Sequence, residues 1–139
     1  MRIMRSVITV AAAGLGLWLA AVPAAAHHAF AAEFDINQPV TLKGTITKME
    51  WIYPHAWMHL DVKTPEGKVE AWEIELGNPN GLLRRGWTRR DPPAGTEVVV
   101  TGYRSKDGST RANGKDANLP DGRKLFIGSA DTGAPDFGK

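Results

Sequence analysis

Eight consecutive residues constrain the fold of this chain more than any others. Over residues 55–62, Ala56, Met58, Leu60 and Val62 alternate with His55, Trp57, His59 and Asp61. Successive side chains of a strand point to opposite faces, so this period of two specifies a strand that buries one side and leaves a polar side outward. Thr64-Pro65-Glu66-Gly67 then has turn composition. Residues 69–76 repeat the pattern, with Trp72, Ile74 and Leu76 on one face and Ala71, Glu73 and Glu75 on the other. Two such runs joined by a short turn predict an antiparallel hairpin lying on a core.

Other stretches extend the same class. In residues 40–51, Val40, Leu42, Gly44 and Ile46 share one face and Thr41, Lys43, Thr45 and Thr47 the other, and the mid-strand Gly44 predicts a bulge or sharp bend. Tyr53-Pro54 breaks the run. Asn78 as N-cap, Pro79 in the first turn and Gly86 as terminator predict one short helix. Residues 91–95 form a loop, residues 97–103 a strand built on Val98, Val99 and Val100, and residues 105–118 an exposed loop or weak strand. Pro120-Asp121-Gly122-Arg123 is a tight turn before a last strand over 124–127. Five or six short strands with a helix after the third predict an all-β, OB-like β-barrel over residues 39–128, with a β-sandwich as the competing assembly.

The first 26 residues have a different character. Arg2 and Arg5 precede an apolar run from Val7 to Val22, and Pro23-Ala24-Ala25-Ala26 follows, the three-part layout of a helical, cleavable signal peptide. The run is short for a membrane span of roughly 20 residues, so no span is expected after cleavage, and an uncleaved anchor is the alternative. The expected location is the periplasm or the exterior. Cleavage leaves about 113 residues, enough for one core and too few for two. It also removes two of the 17 basic residues, which then equal the 15 acids in number. A balanced charge takes away the usual argument for nucleic acid. Without cysteine the fold rests on its core alone. Residues 27–38 form an N-terminal extension, and the glycine-rich 129–139 a disordered tail.

Candidate chemistry gathers at the histidines. His55 and His59 are four apart on a strand, about 13 Å, too far to share one ion. The hairpin instead puts Trp57 and His59 on the side of Glu73 and Glu75, which makes His55, Trp57, His59, Glu73 and Glu75 a candidate ligand face, with a solvated ion pair beside a tryptophan as the plain alternative. His27 and His28 stand at the predicted cleavage point. A mature chain starting at His27 offers an amine and imidazoles, a nitrogen-rich set suited to copper, although a frayed terminus explains the same residues. Arg84, Arg85, Arg89 and Arg90 surround Trp87 and suit phosphate or lipid headgroups, or simple solvation. No serine elbow, phosphate loop, HExxH or cysteine nucleophile supports an enzyme. The expected partner is a small ligand or a periplasmic protein.

Several separated segments carry a resemblance: residues 27–35 (HHAFAAEFD), 40–44 (VTLKG), 54–57 (PHAW), 82–87 (LLRRGW) and 119–125 (LPDGRKL). In this order they resemble a bacterial secreted family known as domain of unknown function 6152. Tyr53 stands where that family usually has asparagine before the proline. The resemblance implies an exported small β-barrel and brings no activity or catalytic residue with it.

Overall fold

The computed structural model describes residues 30–128 of the 139. Residues 1–26, where a signal peptide is expected, His27, His28 and residues 129–139 lie outside the described residues. Residues 30–33 are helical, and after them come β1 (Phe34–Glu50), β2 (Trp57–Lys63), β3 (Val69–Glu75), the short helix α1 (Pro79–Arg84), β4 (Glu97–Ser105), β5 (Arg111–Asn118) and β6 (Lys124–Phe126). Antiparallel pairing links them as β3-β2-β1-β4-β5-β6, and a parallel pairing of β3 with β5 closes the ring. The closed circuit of five strands, with a helix between the third and fourth, is the OB-like barrel and not the sandwich.

The core sits inside this ring. Ile46 of β1, Met58 and Leu60 of β2, Trp72 and Ile74 of β3, and Val98 and Val100 of β4 are all buried, as their alternation requires. Leu76, Leu82, Trp87 and Ile127 belong to the same cluster, so α1 and its flanks complete the core. The helix forms where the sequence places it. Asn78 Oδ1 accepts the Gly81 N–H at 2.8 Å, Pro79 occupies the first turn, and Gly86 follows with φ +93°. A satellite cluster of Phe30, Phe34 and Tyr103, with ring centres 5.6–5.8 Å apart from Phe30, ties the start of the described chain to β4.

Three local expectations differ from the structure. β1 begins at Phe34 rather than at Pro39, and the pairing irregularity between those two residues accommodates the proline, which has no N–H to give. The bulge in β1 falls between Ile46 and Lys48, not at Gly44. Gly44 instead permits close approach, since a Cβ there would lie 2.7 Å from the Asp61 carbonyl oxygen. Most consequentially, in the segment expected to be an exposed loop or weak strand the strand alternative holds and the exposure does not, since it contains β5, with Ala112, Asn113, Gly114 and Ala117 buried.

Candidate functional site

Pairing register assembles one outer patch from four strands. Trp57 lies opposite Glu75 and His59 opposite Glu73 across β2 and β3, so the hairpin places these four residues on one side as its alternation predicts. On the other flank of β2, β1 sets Glu50 against Trp57 and Lys48 against His59. From the closing side, β5 sets Arg111 against Glu73 and Asn113 against Glu75.

Two constellations share the patch. His59 Nε2 lies 3.2 Å from Glu50 Oε2, while the Lys48 ammonium donates to Glu50 Oε1. Lys48 first, and His59 second, hold the Glu50 carboxyl below its ordinary range. His59 therefore finds its carboxylate on β1, not on the facing Glu73. Glu73 pairs instead with Arg111, whose Nε stands 3.5 Å from Glu73 Oε2. That separation is an ion pair without a hydrogen bond, and the buried Nε–H has no acceptor. The same guanidinium stands 5.0 Å from the centre of the half-buried Trp57 ring, within cation–π range.

Glu75 does not share the solvation of its face. It is only 9 % exposed, and Asn113 Nδ2 of the neighbouring β5 donates to its Oε1 at 3.2 Å. Burial pushes its carboxyl up; the charge on His55 opposes the shift and Glu33 adds to it. Asn113 is 1 % exposed and its Oδ1 has no partner among the described residues. His55 precedes β2 and stands apart from the Trp57 group, with Nδ1 3.1 Å from the Leu76 carbonyl oxygen.

Hairpin alternation identifies Trp57, His59 and Glu73, but it misses Glu50, Lys48 and Arg111. Arg111 follows from recognising β5, and the Lys48/Glu50 pair from the outward parity of β1 after its bulge. Chemically, the patch combines a flat apolar ring, a guanidinium and an ammonium as donors, and two carboxylates as acceptors. A separate groove of about 610 Å³, lined by Lys43, Asp61, Lys63, Val69 and Glu97 among others, lies toward the other end of β1 and β2 and includes none of these residues. Among the described residues no three of His, Asp and Glu are arranged to hold a metal ion.

The profile of a family described as a family of unknown function, DUF6152, matches residues 16–115, which takes in β1 to β4 and most of β5. No curated protein and no solved structure matches the chain.

Proposed function

The chain belongs to this family of unknown function, and on that premise we propose that it is an exported OB-like barrel that serves as a non-enzymatic binding module. Its contact surface is the outer face of β2 and β3, with Trp57, His59 and Glu73 at the centre, His55 at its edge and the buried Glu75 as a supporting residue beside β5. The observation that carries this reading is Trp57. A large ring set outside the core, with Arg111 over it and Glu73 behind the guanidinium, adds little to the barrel interior and matches a surface for stacking and charge-assisted contact. The same face of OB barrels holds oligosaccharides and oligonucleotides; the charge balance of the processed chain favours a small ligand or a periplasmic protein over nucleic acid.

The test is a fluorescence-monitored screen of oligosaccharides and short peptides against the wild type, Trp57→Ala and His59→Ala. Any ligand found should lose at least tenfold in affinity in one of the variants while circular dichroism is unchanged. Ligands that bind all three proteins equally would sink the reading. Export has its own check, because intact mass of protein from an exporting host should correspond to a chain starting at His27. A full-length mass would overturn it.

A second reading, copper binding through His27 and His28, draws support from their position just ahead of Phe30, which docks on Tyr103 of β4. An amine and neighbouring imidazoles suit Cu(II). Copper titration of the processed chain should give tight binding that disappears in His27→Ala/His28→Ala. Equal affinity in that variant would end the copper reading and leave the binding module untouched.

A further inference from the structure

The loop between β1 and β2 ends in an apolar tip. Ile52 is 51 % exposed and Tyr53 59 %, two of the four large apolar residues exposed in the described chain. The tip does not wave free. Tyr53 Oη donates to Asn80 Oδ1 at 2.8 Å, which fixes the loop to α1, and the neighbouring Trp51 meets Trp87 edge-on at 6.3 Å.

Arginines stand beside the residues that anchor the tip. Arg84 lies four residues after Asn80 on α1, hence on the same helix face as the residue that holds Tyr53. The Arg89 guanidinium stands 5.9 Å from the Trp51 ring. Arg90 follows it, and all three are exposed. Among the described residues none of the three pairs with a carboxylate. The nearby acids are otherwise engaged: Glu50 with Lys48 and His59, and Asp91 with Arg123 at 2.6 Å. Arg85 differs, since it donates to the Gly128 carbonyl oxygen at 2.8 Å and lies over Phe126.

We propose that this tip docks on an anionic phospholipid surface, with Ile52 and Tyr53 at the interface and Arg84, Arg89 and Arg90 on the headgroup phosphates. Two exposed apolar side chains are far too few for a stable protein interface of about 800 Å² per partner. They suit a loop that dips into a bilayer interface, where aromatic rings are favoured and each cation adds about fivefold in partition to an anionic surface. Arginine suits phosphate because its planar fork donates two hydrogen bonds at once. The surface is distinct from the Trp57 face, so either proposal stands without the other.

Co-sedimentation with vesicles tests it, using the whole chain and its variants so that the apolar N-terminal run is common to all. Wild type should bind vesicles of phosphatidylcholine with 30 mol % phosphatidylglycerol more tightly than phosphatidylcholine alone, and 0.5 M salt should abolish the difference. Arg84→Gln/Arg89→Gln/Arg90→Gln should cut that difference by on the order of 100-fold, and Ile52→Ser/Tyr53→Ser should cut binding by a smaller factor, with thermal melts showing each variant folded. A phosphatidylglycerol preference that survives the triple substitution would overturn the proposal. So would displacement by millimolar inorganic phosphate, which points to a free-anion site, or preferential capture by poly-glutamate over vesicles, which points to an acidic protein.

Discussion

In β2 the inward positions hold Met58 and Leu60, both wholly buried, whereas in β5 they hold Ala112, Gly114 and Ala117 beside the amide of Asn113. The two strands are members of the same closed ring, and their difference follows from what packs against each on the inside. β2 has a partner on either side, β1 and β3. β5 pairs with β4 along its length, with β3 over its first residues and with β6 over its last. Inside β5 the space is already taken, since a Cβ on Gly114 would meet Ile127 and Ile74 at 2.6 and 2.8 Å, and there is no room for large side chains. The volume of the core comes from the first four strands and α1; β5 closes it, and small residues are the condition of closure.

That contrast predicts opposite sensitivities, so β2 should fail on losing volume and β5 on gaining it. The largest effect is expected at Gly102, the β4 residue facing β5, where a Cβ would stand 2.1 Å from the Asn113 carbonyl oxygen. Backbone must move to relieve that contact. Gly102→Ala should therefore cost about 3 kcal/mol or more and leave little folded protein, read by urea denaturation. A variant with wild-type stability would show that β5 has slack and would break the comparison. On the β2 side, Leu60→Ala should cost roughly 3 kcal/mol through lost burial and the cavity left behind, while Leu60→Met should cost under about 1.5 kcal/mol.

Gly114→Ala sharpens the same point. Its Cβ would meet Ile127 Cδ1 at 2.6 Å and Ile74 Cγ2 at 2.8 Å, the ends of side chains rather than backbone. Ile127 Cδ1 can swing about χ2, whereas Ile74 Cγ2 is held by a stiff χ1 and gives only through small shifts of the core, so the cost should be about 2 kcal/mol, still below that of Gly102→Ala in the same denaturation series. If the order reverses, the crowding lies in the core side chains and not between β4 and β5.

The contrast also explains which parts of the molecule were legible in the sequence. Alternation works when the inward set is large and apolar and the outward set polar, as at Met58, Leu60, Trp72 and Ile74. β5 reads Arg-Ala-Asn-Gly-Lys-Asp-Ala-Asn, in which nothing large marks the inward face, so hydrophobic periodicity finds only an exposed loop or a weak strand where a closing strand stands. The site inherits the same blind spot. Trp57, His59 and Glu73 are legible because two consecutive strands place them together. Arg111 is hidden with β5. Glu50 reaches His59 only because the bulge between Ile46 and Lys48 resets the register of β1, and no local pattern announces that shift. Alternation places Glu75 on its side of the sheet, and its hydrogen-bond partner Asn113 lies on the strand that the pattern conceals.

Glu75 accordingly supplies the smallest effect and the one that changes with pH. Burial raises its carboxyl above the ordinary 4.5 in the folded state, so the fold favours the protonated form. The associated stability is fully present below the unfolded value and is lost as pH rises through the folded one. Glu75→Gln keeps an acceptor for Asn113 Nδ2 and removes the charge. It should melt above the wild type at pH 7, and the gap should close as pH falls toward 4. The lowered carboxyls of Asp91, Asp107 and Asp121 are common to both proteins and drop out of the difference. A gap that stays constant with pH would mean that Glu75 titrates as a solvated group and that its burial beside Asn113 is not kept in solution.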